Sequence, residues 1–191
     1  MQINDKETMS TSKQTGNATG AWTYARPALA LHWILAVSLT GMVALGWFMI
    51  SIEDDPGSDW YFNLHKSIGI SIFLLVLLRI VWRLTHRPEP LPSFVPAWQI
   101  KLSSVTQMLL YTCMIVLPVA GFIGARYSKD GIAFFGVALP TAVPNHDLAE
   151  LFFSVHGVTA WILVGLVALH VAGALKHLLI DRDGVFQRMW R

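Results

Sequence analysis

The stretch Leu151–Leu175, LFFSVHGVTAWILVGLVALHVAGAL, contains no Asp, Glu, Lys or Arg, and it holds two histidines, His156 and His170. A bilayer core about 30 Å thick is crossed by about 20 residues of helix, and this run is long enough. Backbone groups in lipid must satisfy one another, so the run is predicted to be helical. His156 and His170 are 14 residues apart. At 100° per residue that interval returns to within about 40° of the same face, displaced by roughly 21 Å along the axis. One helix therefore presents two imidazoles on one face, one toward each membrane surface.

Three further apolar runs precede it. Ala28–Ile50 and Leu102–Ala125 carry no formal charge. Ser67–Leu84 is interrupted only by Arg79 and Arg83, and its helix is expected to start near Tyr61. Four such runs predict an all-α integral membrane four-helix bundle. Composition agrees: 54% of the residues are hydrophobic and 14% charged, against about 25% charged in a soluble domain. A net charge of +2 gives no reason to expect nucleic acid. Cys113 is the single cysteine, which excludes an internal disulfide and any multi-cysteine zinc or iron–sulfur site. Residues 1–24 are polar, without a periodic apolar face, and read as a disordered cytoplasmic tail rather than a signal peptide. Residues 25–185 form the transmembrane domain, and 186–191 a C-terminal tail.

The connections orient the bundle. The N-tail, the Pro-rich second loop with its flanks (Arg79, Arg83, Arg87, Lys101) and the C-tail hold eleven of the 14 Lys and Arg; Lys66, Arg126 and Lys129 are the other three. The positive-inside rule then places both termini and the second loop in the cytoplasm of a bacterium, the chain being multi-pass in its inner membrane. Trp22, Trp47, Trp60, Trp82, Trp98 and Trp190 fall near the predicted helix ends, where aromatic anchors belong.

An ionisable residue at membrane depth is costly and needs a partner. His32, His65, His156 and His170 lie in or at the ends of the apolar runs. With the helices alternating in direction, His32 and His170 share the inner level, and His65 and His156 the outer one. Two levels roughly 21 Å apart are too far apart for one metal centre and suit two haems stacked across the membrane. Arg79 lies 14 residues after His65 and is expected beside the inner haem, where a cation meets a propionate. Gly46, 14 residues after His32, is expected level with the outer haem. Ala36, Gly69, Ala160 and Ala174 each follow a candidate ligand by four positions and leave room on its face. His177, seven residues after His170, is the rival inner ligand. His86 and His146 are expected in loops.

These residues sit in stretches that resemble the bacterial cytochrome b561 family of di-haem membrane proteins: ALHWIL (Ala30–Leu35), LHKSIGI (Leu64–Ile70), LRIVWR (Leu78–Arg83), LPVAGFIG (Leu117–Gly124), FFGVALP (Phe134–Pro140), VHG (Val155–Gly157) and ALHVAGA (Ala168–Ala174). The resemblance implies that His32, His65, His156 and His170 are axial ligands of two b-type haems. No Cys-x-x-Cys-His is present, so attachment would be non-covalent. It further implies exchange of electrons with the quinone pool, ubiquinone or its quinol being the partner, and in some members oxidation of superoxide with ubiquinone as acceptor. Lys66 and Arg79 are candidate propionate or quinone contacts, while Lys66, Arg126 and Lys129 could form a basic patch beside the outer haem. Two other readings stay open: a membrane-anchor cytochrome b subunit of a larger dehydrogenase or hydrogenase-like complex, and a haem-free transporter using membrane histidines for protons. The short loops are compatible with a small diffusible donor or acceptor; a redox protein as partner and a homo-oligomer also stay open.

Overall fold

The computed structural model describes residues 24–87, 89–91 and 93–190. The polar tail expected over 1–24, with Trp22, lies outside the described residues except for Tyr24, and so does Arg191.

Four helices account for most of the chain: α1 (Arg26–Ser51), α2 (Ser58–Thr85), α3 (Ala97–Tyr127) and α4 (His146–Lys176). All four are long and apolar enough to cross a membrane. Pro27 opens α1, where its missing N–H costs nothing and its fixed φ suits the first turn. Gly57, at φ 91°, turns the chain into α2 through a conformation that disfavours other residues. The Asn145 side chain accepts a hydrogen bond from the Leu148 amide (3.0 Å) and caps α4. Pro118 lies inside α3 and removes the donor that the Met114 carbonyl would otherwise meet.

Each helix outruns the apolar stretch that predicts it. α2 starts at Ser58, one turn before Tyr61, and α4 starts at His146 rather than near Leu151. Hydropathy marks only the part of a helix that lies in hydrocarbon, whereas the polar first turns stand in the headgroup region, where helical hydrogen bonds form as readily. His146 is accordingly the exposed first residue of α4, and His86 ends α2 with its ring stacked on Trp82 at 4.0 Å.

The chain packs in sequence order, α1 on α2, α2 on α3 and, most extensively, α3 on α4. A small core of Leu35, Ile72 and Val76, joined by Leu39, Met42 and Met114, holds α1, α2 and α3 together. Elsewhere the helices are apolar on every side, and residues such as Val37 and Trp161 stay exposed, as expected of helices whose outer faces meet lipid. At one end of the bundle Phe48, Trp60 and Tyr61 form edge-to-face pairs. Such a cluster suits the headgroup level.

The connection between α3 and α4 holds an element that the hydropathy pattern does not show. β1 (Ala133–Phe134) pairs antiparallel with β2 (Val137–Ala138), with Phe134 opposite Val137. The two residues between them, Phe135 and Gly136, both have positive φ, the requirement of the tight hairpin turn that matches strand twist. Ser67 of α2 fastens this hairpin. Its hydroxyl accepts from the Phe135 amide (3.0 Å) and shares its proton between the carbonyls of Asn63 and Ala133. Ser67→Ala is expected to free the hairpin, speeding amide hydrogen exchange at Phe135 by roughly tenfold, the worth of one net hydrogen bond. Unchanged exchange there would mean that Ser67 does not hold the turn.

Candidate functional site

α4 keeps its backbone away from α1 and α2, and meets them mainly through side chains. Two of those meetings are histidine pairs. His65 of α2 faces His156 of α4 with ring centroids 6.1 Å apart, and His32 of α1 faces His170 of α4 at 6.2 Å; the planes are crossed by 69° and 66°. No hydrogen bond joins the two rings of either pair. A direct N–H···N bond of about 3 Å would bring the centroids to roughly 5 Å. Two metal–imidazole bonds of about 2.0 Å each would hold them roughly 6.3 Å apart. The observed spacing, found twice, fits rings that share a metal.

The outer pair is built from the side of α3. His156 Nδ1 lies 2.8 Å from the Leu117 carbonyl. A carbonyl only accepts, so Nδ1 carries the proton and Nε2 is left with its lone pair, the tautomer a ligating imidazole needs. One turn after Leu117 stands Gly121, where an added Cβ would sit 2.8 Å from His156 Nδ1 and 3.1 Å from Cε1. At Gly124 a Cβ would come within 2.7 Å of the Phe153 ring. Phe153 and His156 lie one turn apart on α4, so the two glycines form the flat bed on which that face rests. On the opposite side Gly46 of α1 lies against His65, a Cβ there meeting Cε1 at 3.6 Å. Among the described residues, His65 Nδ1 is buried and meets no hydrogen-bond partner, a cost that structures rarely leave uncompensated.

The inner pair is tied to α2 and to the chain's end. Arg79 donates from Nη1 to the Ala28 carbonyl (3.0 Å) and from Nε to the Tyr111 hydroxyl (3.1 Å), while Nη2 lies 3.3 Å from His32 Nδ1. This one side chain links α2 to α1 and α3 beside the inner histidines, where its spacing from His65 places it. Trp33 packs edge-on against His32 at 5.4 Å, and its indole N–H donates to the Met189 carbonyl (2.9 Å). Trp190 then packs on Trp33 at 5.5 Å, so described residues of the C-terminal tail close over the start of α1.

The other candidates are placed elsewhere. His177 stands in a π-helical turn after α4, with Nδ1 2.7 Å from Asp183 Oδ2 and 3.5 Å from Asp181 Oδ2; His170, not His177, faces His32. Lys66 donates to the Gly131 carbonyl (2.9 Å) ahead of the hairpin. Arg126 and Lys129 are both exposed.

A sequence model described as prokaryotic cytochrome b561 matches residues 23–191, nearly the whole chain. The chain belongs to the prokaryotic cytochrome b561 family. It is 31% identical over 172 residues to cytochrome b561 homolog 2 of Escherichia coli (strain K12), covering 87% of this chain and 90% of that protein. Cytochrome b561 homolog 1 of the same organism is 30% identical over 177 residues, covering 87% and 96%. A Yersinia pestis protein named probable superoxide oxidase CybB is 26% identical over 170 residues, covering 87% and 94%. As a cytochrome b561 with four apolar spans, the chain is a multi-pass electron-transfer protein of the bacterial inner membrane, and membership implies that it binds b-type haem. The residues present fit that cofactor: two crossed imidazole pairs with the spacing of rings that share a metal, and at His156 a tautomer that leaves Nε2 free to ligate.

Proposed function

We propose that His32 with His170, and His65 with His156, hold two non-covalent b-type haems, and that the protein uses them to pass electrons between the ubiquinone pool and a donor or acceptor at the opposite membrane face. The observation that carries this reading is the repeated ring separation of 6.1 and 6.2 Å, in two tiers roughly 21 Å apart along α4. Held between these imidazole pairs, such haems would supply one-electron redox chemistry rather than oxygen binding.

The chain's own residues orient and insulate the two tiers. Leu117 fixes the His156 tautomer through its carbonyl. With His32 ligating through Nε2, its Nδ1 would bear a proton, and a guanidinium, which only donates, would have nothing to offer it. The natural acceptor for Arg79 is then a haem propionate. Lys66, next to His65 in sequence, spends one donor on Gly131 and has two left for a carboxylate at the outer tier or a quinone oxygen. The charge imbalance between the loops puts His32 and His170 at the cytoplasmic level.

Superoxide enters through the name of the Yersinia pestis relative. In that reaction two superoxide ions each give up one electron and leave as dioxygen, and ubiquinone with two protons becomes ubiquinol. The loops and helix ends on the His65 side carry seven acids (Glu53, Asp54, Asp55, Asp59, Asp130, Asp147, Glu150) against three bases, so a superoxide anion gains no long-range steering there. Its approach would depend on Lys66 at short range.

Stopped-flow mixing of the purified, haem-loaded chain with ubiquinol and with superoxide in parallel tests the reading. A pyridine haemochrome assay on the same material is expected to give two haems per chain, and at least one of the two reagents is expected to reduce them within the mixing experiment. One haem or none in fully loaded protein overturns the two-tier assignment. Two haems that neither reagent reduces or reoxidises overturn the quinone-linked assignment and favour an anchor subunit whose redox partner is a soluble protein.

A further inference from the structure

Arg79 and Arg83 lie one turn apart on α2 and line a cleft between the helices, together with Tyr24, Trp82, His86 and Tyr111. Among the described residues, neither guanidinium meets a carboxylate. Arg79 spends its bonds on the Ala28 carbonyl, the Tyr111 hydroxyl and His32. Arg83 donates from Nη2 to Gln107 Oε1 (2.8 Å), and its guanidinium stands over the Tyr111 ring at 5.9 Å. A guanidinium has five N–H donors, so most of those on Arg83 remain unspent.

Among the described acids at this end of the bundle, the Glu89 carboxylate meets neither guanidinium and the other two are committed elsewhere. Asp181 is paired with Lys176, and Asp183 with His177. A cation at the edge of hydrocarbon is costly without a counter-charge, and with Arg79 left to the haem, a neutral carbonyl ligand would leave Arg83 uncompensated. The cleft therefore calls for an anion. Its depth indicates which anion. Trp82 stacks flat on His86, with centroids 4.0 Å apart and planes 4° apart, at the end of α2. Tryptophan at a helix end marks the headgroup level, and basic clefts between helices at that level suit anionic lipid headgroups.

We propose that this cleft binds the phosphate group of an anionic phospholipid, with Arg83 as the principal contact and the Trp82–His86 stack as the wall beside the glycerol. Arg83 touches neither histidine pair; Arg79, on the wall the cleft shares with His32, is left to the haem, and the inference rests on Arg83.

Native mass spectrometry of the haem-loaded chain, delipidated in neutral detergent and then offered phosphatidylglycerol or phosphatidylcholine, tests it. The parent protein is expected to retain phosphatidylglycerol in preference. Arg83→Gln is expected to weaken that retention roughly tenfold, the loss of a charge-assisted hydrogen bond, with the haem spectrum unchanged. Arg83→Lys is expected to keep most of it, and Arg87→Gln, outside the cleft, all of it. The proposal fails if Arg83→Gln retains phosphatidylglycerol like the parent, if phosphatidylcholine is held as well, or if Arg87→Gln loses as much. It also fails if inorganic phosphate alone displaces the lipid at equal concentration, which would make free phosphate the ligand. Loss of a haem in Arg83→Gln with lipid retention intact would assign the residue to the cofactor instead.

Discussion

His156→Ala is expected to remove one haem and leave the other in place, halving the haem-to-protein ratio. The variant takes away one of the two imidazoles proposed to hold that haem and leaves His65 without its opposite ring. Nothing at the His32–His170 level depends directly on His156, because the tiers lie roughly 21 Å apart on α4. The sharper form of the prediction is a symmetry among four variants. His65→Ala and His156→Ala are expected to leave the same residual haem, with one spectrum and one reduction potential. His32→Ala and His170→Ala are expected to leave the other. Redox titration of the four proteins reads this symmetry whichever membrane face each haem lies toward. If His156→Ala left the same haem as His32→Ala, the pairing drawn from the ring contacts would be wrong.

Gly121→Val is expected to disable the same tier without touching a ligand. A Cβ at Gly121 would stand 2.8 Å from His156 Nδ1, closer than real side chains approach, and valine adds two methyl groups beyond it. The ring must turn away, which breaks its bond to the Leu117 carbonyl. Losing such an orienting partner typically lowers metal affinity by about 10- to 100-fold, and overpacking costs about 1–3 kcal/mol more. Gly46→Ala is the matched control. Its Cβ would meet His65 Cε1 at an ordinary 3.6 Å, and full haem binding is expected. Gly165→Ala, with nothing within 4 Å, should be silent as well. Haem titration of the three proteins decides the matter: outer-haem affinity in Gly121→Val equal to that of the parent would show that the close approach of α3 does not position His156.

The four spans and the two histidine levels are legible in the sequence because each follows from a period. The length of an uncharged run reports hydrocarbon thickness, and a 14-residue interval reports one helix face. Arg79 is legible for the same reason, by its spacing from His65. What escapes such a reading is set by contacts between helices rather than along them. Nothing in the run around Leu117 says that its carbonyl will meet an imidazole. Gly121 and Gly124 read as small residues common in membrane helices, until α4 is seen resting on them. The hairpin at Ala133–Ala138 leaves no hydropathy signal because its strands are two residues each and it is held by Ser67, a side chain 66 residues upstream of Ala133. The docking of Met189 and Trp190 on Trp33 spans almost the whole chain, and no local pattern announces it.

The dependence of both tiers on α4 has a consequence for biosynthesis. A nascent chain with only α1, α2 and α3 threaded into the bilayer already carries His32 and His65, yet each lacks its opposite ring until the final helix follows. With the haems held as proposed, neither could be clamped from both sides before α4 is in place.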